Sequence, residues 1–408
     1  MKRILALLTL FACGALGLAG DWPSWRGPTQ DGTSEEAKLP TAWSDTENVR
    51  WKAKLPGAGN SSPVVWKGRV FVTASSGREH SKLIVACYDR DSGKREWESS
   101  FFASPAPAPF GMFPPERGHA APSPATDGEV LVALFGSGDL LGLGLDGRLL
   151  WFRSLAAEYG DFRNEYGVSA SPVIDGGTVF VQIDHDAESY LLAVDVATGK
   201  TRWRTKRDAR RGWATPLVTR VGNTRQVVCL GTGKITGYDA ATGKEAWSLS
   251  GLERLCSVTP LERDGKLYAT SGPRGEVLCI DLSHSASGKM PEVLWRSKRI
   301  GPFIPSPMLV GDLLVVPDDQ GFLTGLDAKT GEERWRKRAG GRARPSPVLG
   351  GGYLYLTGLD GTTAVYRAVK EFEAVVKNRL GEEVAASPAL AHGCVFLRGE
   401  KHLWCLGK

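Results

Sequence analysis

The sequence predicts an all-β protein folded as an eight-bladed β-propeller, and three observations predict it. The first is a turn-and-strand unit, DVATGKTRW (Asp195 to Trp203), which returns as DAATGKEAW (Asp239 to Trp247) and DAKTGEERW (Asp327 to Trp335). Looser copies are DRDSGKREW ending at Trp97 and DGRLLW ending at Trp151. In each, the Asp side chain closes a tight turn, Gly takes the positive φ and Trp opens a new strand. The second is a Ser-Pro or Thr-Pro followed by alternating apolar residues, in eight copies that start at Ser62, Ser123, Ser171, Thr215, Thr259, Ser306, Ser346 and Ser387. From Pro124 to Pro388 the prolines lie 40 to 48 residues apart, 44 on average, which is the period of a four-stranded blade. Only the first interval, Pro63 to Pro124, is longer, at 61. The third is the character of the segments, which are short, β-branched and Gly-punctuated without sustained helical spacing. That excludes a helical solenoid of similar period.

Taken in order, the chain opens MKRILALLTLFACGALGLAG, two basic residues, an apolar run and then small residues. Residues 1–19 read as a secretory signal peptide, too short for a membrane span, with lipidation at Cys13 as the alternative. No later stretch is apolar enough to cross a bilayer, so the expected location is the periplasm or cell envelope. The 408 residues carry 50 Gly, 24 Pro and 13 Trp, with 42% hydrophobic and 24% charged residues, the balance of a turn-rich β protein with an ample core. Formal charge is +6, or +4 once Lys2 and Arg3 are removed, too mild a surplus to argue for nucleic acid. After Cys13 six cysteines remain: Cys87, Cys229, Cys256, Cys279, Cys394 and Cys405. Cys87, Cys279 and Cys405 share one repeat position and read as small buried fillers. There is no C-x-x-C-H, no C-x-x-C and no adjacent Cys-Cys.

Residues 20–47 are rich in Pro, Gly and polar residues and read as an extended lead segment held to the surface by Trp22, Trp25 and Trp43. The propeller occupies 48–408. Its eighth repeat stops at Lys408, where a Trp-bearing outer strand is due, and NVRWKAK (Asn48 to Lys54) supplies such a strand with Trp51 in the matching place. The ring is therefore expected to close by pairing this N-terminal strand with the C-terminal blade, which removes the open edge.

Nearly the whole mature chain resembles propellers built from pyrroloquinoline quinone (PQQ) type repeats. The match runs through WPSWRGPTQDG, NVRWKAKLPGAGNSSPVVWKGRVFVTA, HAAPSPATDGEVLVALFGSGDL, EYGVSASPVIDG and GEEVAASPALAHGCVFLR. Such repeats occur in quinoprotein alcohol dehydrogenases, in BamB-type outer-membrane assembly factors and in secreted PQQ-binding-like β-propeller proteins. Resemblance to the dehydrogenases would imply a vicinal Cys-Cys ring against the quinone, a calcium held by Glu and Asn, and an Asp base. No Cys-Cys occurs, and the candidate carboxylates, Glu165 beside Asn164 and the pair Asp318 and Asp319, sit in turn-rich loops. Neither PQQ nor calcium is therefore expected. The six His are scattered along the repeats without metal spacing, and Asp184-His185-Asp186 reads as a polar loop between strands.

In a propeller the chain must cross from each blade's outer strand to the axis just before each Ser-Pro. Residues there should ring one mouth of the channel: Asn60, His119, Ser169, Trp213, Cys256, Phe303 with Ile304, Arg342 with Arg344, and Ala385. Asn60, His119, Trp213, Phe303, Arg342 and Arg344 make the candidate binding set, a mixture of aromatic, basic and amide groups. The long insertion from Ser99 to Pro122 adds Phe101, Phe102, Phe110 and Phe113 as a partner-docking arm on the same face. The expected function is a non-enzymatic, monomeric binding scaffold that presents these loops to a protein or small ligand. Outer-membrane protein assembly is its concrete form, and a PQQ-dependent alcohol or sugar oxidoreductase is the alternative.

Overall fold

The computed structural model describes residues 20–104, 118–160, 162, 167–369 and 371–408. Eight four-stranded antiparallel sheets are present. Seven are contiguous in sequence, at 64–102, 125–154, 173–206, 217–250, 261–301, 308–338 and 348–379, and each runs in order from its first strand to its fourth. Strands alternate in direction, so the turns between second and third strands share a face with the loops that lead from one blade to the next. We call this the mouth face, and the opposite one the base.

The Ser/Thr-Pro repeat has a structural purpose that its spacing alone does not disclose. Backbone N–H of Ser62 donates to Ser123 Oγ at 2.8 Å, Ser123 to Ser171 Oγ at 3.0 Å and Ser171 to Thr215 Oγ1 at 3.0 Å. The chain of bonds resumes from Thr259 to Ser306, Ser346, Ser387 and back to Ser62, at 2.8 to 3.0 Å. A girdle of buried hydroxyls thus ties each blade's inner strand to the next, except at the step from the fourth blade to the fifth, and satisfies N–H groups that no ladder reaches.

Between blades the repeated Trp residues dock as expected. Trp97, Trp151, Trp203 and Trp295 send their indole N–H to carbonyls in the following blade's turn, at Leu145, Val196, Ala240 and Ala328, over 2.8 to 3.1 Å. Trp247 differs and donates within its own blade, to Gln226 Oε1 at 2.7 Å. The reason lies in the fifth blade, where Asp281 leads into a short 3-10 turn, Ser283–Ser287, in place of the tight turn that would offer a carbonyl.

Ring closure follows the same rule. The strand Val49–Lys54 pairs with His402–Leu406 and completes a sheet with Cys394–Arg398 and Ala389–Ala391. Trp51 stands opposite Cys405 and donates to Arg90 O of the first blade at 2.7 Å.

The lead segment is bound more deeply than the sequence implies. Trp22 is 1% exposed and exchanges two backbone hydrogen bonds with Val65 on the first blade's inner strand. From there the chain touches inner strands around the ring. Pro23 O accepts from Thr126 N, Trp25 Nε1 donates to Thr259 Oγ1 at 2.7 Å, Arg26 Nη2 donates to Pro307 O at 2.8 Å, and Gly32 and Ser34 bond Leu349. Trp25 therefore occupies Thr259 Oγ1, the girdle acceptor that no neighbouring backbone N–H takes. Burial lowers the pKa of Arg26 to about 10, opposed by the nearby Asp31 carboxylate. Contacts to blades one, two, five, six, seven and eight mean that the segment crosses the axis and stops the channel from the base. Lying along the surface was the expectation; the apolar bulk of Trp22 finds its burial inside the ring instead. Trp43, further on, stacks on Tyr355 with ring centroids 6.2 Å apart.

Candidate functional site: the mouth face

With the base stopped, the channel's remaining end is the mouth, and its rim is built by the inter-blade loops. Successive loops are cross-linked. Asn60 N bonds Ala120 O at 2.8 Å, Trp213 N bonds Cys256 O at 2.8 Å, Ser257 Oγ bonds Phe303 O, and Leu359 N bonds Arg342 O at 2.8 Å. Asp319 receives the N–H groups of Phe303 and Ile304 at 3.0 and 3.2 Å, and burial raises its pKa against those bonds. Asp319 is thus a clamp on the rim loop.

The structure sorts the candidate residues into two groups. Asn60, Phe303 and Arg344 are half-buried and Arg342 is exposed, so these four are accessible. His119 and Trp213 are not, with 4% and 7% exposure. The His119 backbone N–H donates to Ser75 Oγ, and burial pushes its imidazole down to about 4, with His80 adding to the effect and Asp139 opposing it. Trp213 donates its indole N–H to Gly167 O at 3.1 Å and its backbone N–H to Cys256 O. Cys256 is fully buried, and all six described cysteines are free thiols. Sequence position identifies the loop; only packing decides which of its side chains turns inward.

The insertion is corrected in part. Phe101 and Phe102 are the last residues of the first blade's outer strand, Arg95–Phe102, rather than part of a free arm. Phe101 packs on Phe152 of the second blade at 6.4 Å, while Phe102 is 85% exposed. Phe110 and Phe113 lie outside the described residues, as do the signal segment with Cys13, and Asn164 and Glu165.

Asp184-His185-Asp186 lies between the second and third strands of the third blade, as the sequence suggests. Its first residue is nevertheless buried: the Asp184 carboxylate takes both Arg207 Nε and Nη2, at 2.8 and 3.1 Å, together with Gln182 Nε2 at 2.6 Å. Burial works against the charge of Arg207, but the Asp184 carboxylate outweighs it and holds the guanidinium well above its ordinary value. Arg207 also donates to Tyr238 Oη at 3.1 Å, so a hydrogen bond from this third-blade ion pair joins it to the fourth blade. Sequence reading missed it because the partners stand 23 residues apart on either side of a hairpin.

Of the residues that a calcium and quinone would require, Asn164 and Glu165 lie outside the described residues. No three His, Cys, Asp or Glu among the described residues converge to hold a metal ion. The only mouth cysteine, Cys256, is a buried thiol without a vicinal partner.

Comparison with known proteins agrees with the architecture. The family model described as outer membrane protein assembly factor BamB matches residues 32–186 and 187–406. A BamB from Alkalilimnicola ehrlichii is 26% identical over 216 residues, covering 50% of this chain and 52% of that protein. The chain thus aligns with about half the length of this curated relative. Among solved structures, BamB from Moraxella catarrhalis superposes with a TM-score of 0.65 at 17% identity, over 88% of this chain and 99% of that one. The quinohemoprotein alcohol dehydrogenase from Comamonas testosteroni gives 0.73 at 13% identity, over 95% and 80%. At these identities the superpositions speak for the fold alone.

Proposed function

The chain belongs to the family of the outer membrane protein assembly factor BamB, and on that premise we propose that it is an exported, non-enzymatic scaffold whose mouth face binds protein partners during outer-membrane protein assembly. The observation that carries this reading is the asymmetry of the ring. One end is stopped by the chain's own lead segment, while the other presents cross-linked rim loops with exposed Arg342 and half-buried Asn60, Phe303 and Arg344. Rigid loops of mixed chemistry at one accessible end suit recognition of a macromolecule. The quinone-dependent oxidoreductase reading rests on likeness of fold to a dehydrogenase, and the chain lacks the adjacent Cys-Cys that the resemblance to those enzymes would imply.

The test is made in cells. Removing the gene should lower the level of outer-membrane β-barrel proteins, and the wild-type chain should restore it. The paired substitution Arg342→Ala and Arg344→Ala should restore it poorly despite normal abundance in the periplasmic or membrane fraction. Unchanged barrel levels on removal would end the assembly reading. Tight calcium-dependent binding of PQQ with dye-linked alcohol oxidation would replace it by the enzymatic one.

A further inference from the structure

On the mouth face, a cleft of about 340 Å³ opens between the sixth and seventh blades, lined by Arg338, Gly340, Gly341, Leu356, Asp360 and Lys377 among others. That is within the range of about 300–1,000 Å³ typical of ligand-holding clefts. Its floor is apolar, with Ala339, Leu356 and Ala364 all buried. Its walls are cationic and uncompensated. On the strand Glu333–Arg338, Arg334 pairs with Asp327 at 2.6 Å and Arg336 with Asp318 at 3.3 Å. Arg338, the next outward-facing residue, has no carboxylate within 4.0 Å among the described residues, and neither do Lys377 across the cleft nor Arg342 on the adjoining loop. Arg338 is held in place by the Phe322 ring, 5.5 Å from its guanidinium carbon. The one acid of the lining, Asp360, is engaged in its own turn, accepting from Thr362 N at 3.1 Å and Thr362 Oγ1 at 3.0 Å.

The two glycines point the same way. Neither Gly340 nor Gly341 has a positive φ. A Cβ at Gly340 would make ordinary contact with Leu356 at 3.6 Å, and one at Gly341 would meet nothing within 4 Å. Backbone geometry and close packing therefore do not demand glycine here. Gly340 N donates to Gly321 O at 3.1 Å, which holds the wall in place, while the exposed Gly341 leaves it bare of side chain towards another chain.

Resting on the scaffold reading above, we propose that this cleft receives an extended acidic peptide segment of the partner, its carboxylates taken by Arg338, Lys377 and Arg342 and its backbone laid against Gly340 and Gly341. Charge complementarity selects the acidic character. A narrow apolar floor beside a bare backbone selects an extended chain rather than a flat anionic surface.

Fluorescence anisotropy with a labelled peptide of alternating Glu and Gly tests it on the full chain, against Gln/Gly and Lys/Gly peptides and an oligothymidylate of equal charge. The Glu peptide alone should bind, more weakly as salt rises. Arg338→Ala with Lys377→Ala should weaken it at least tenfold, and Gly341→Phe, which keeps every charge and fills the cleft, should do the same with an unchanged melting curve. Arg334→Ala with Arg336→Ala, which removes paired cations from the same strand, should leave it within twofold. No binding, equal binding of the oligothymidylate, or indifference to Gly341→Phe would overturn the proposal. Because the readout is a synthetic peptide, the cleft can fail while barrel levels still depend on the protein, and the reverse, so the two readings fall separately.

Discussion

At the residue scale, two sets of buried polar groups hold the ring together. The girdle hydroxyls accept backbone N–H groups of the neighbouring blade, and Asp184 pairs with Arg207 inside the third blade, from which Arg207 reaches Tyr238 of the fourth. A paired buried ion contributes little net stability, because desolvation offsets the attraction, but a lone one is costly. Asp184→Ala should therefore lower the free energy of unfolding by about 3–5 kcal/mol, since it strands the Arg207 guanidinium in a dry interface. The double substitution Asp184→Leu with Arg207→Met should recover most of that loss. Urea unfolding of the three chains decides it: a single variant as stable as wild type would mean that Arg207 finds another counter-charge.

Elements are joined by one recurring contact, Trp over the next blade's turn, and the closing strand depends on it most. Trp51 is 7% exposed and covers the turn at Gly93, where φ is +69° and an added Cβ would stand 2.5 Å from the indole. The strand Val49–Lys54 has no covalent neighbour within its sheet, so packing and the ladder alone keep it there. Trp51→Ala should cost about 3–5 kcal/mol, the usual loss for truncating a buried aromatic, and should speed proteolysis after residues 49–54. Equal unfolding midpoints and equal cleavage for variant and wild type would show that the ladder holds the ring by itself.

On the scale of the whole molecule, the lead segment turns an open ring into a one-ended vessel. It carries Trp22 and Trp43 into the core shared by the first, seventh and eighth blades. A chain beginning at Asn48 should keep its blades and lose about 3–6 kcal/mol, taking about 1.5–3 kcal/mol for each buried aromatic. Its inner strands should exchange amide hydrogens faster at the base. An unaltered melting temperature would mean that the segment is a passenger.

The repeat architecture, the number of blades, the docking Trp residues and the closing strand were all determined by sequence, because each is a local pattern of turn chemistry and period-two alternation that repeats in register. Which rim residues face outward was decided only by the tertiary structure: Trp213 and His119 share their loops' position with accessible residues, yet packing turned them inward. The same holds for the path of residues 20–34 through the channel, for Asp184 with Arg207, and for the cleft at Arg338 and Lys377. Each of these joins residues from different blades or from opposite sides of a hairpin. Periodicity reports what one strand does with its own side chains, whereas burial and charge pairing depend on what the ring brings beside it.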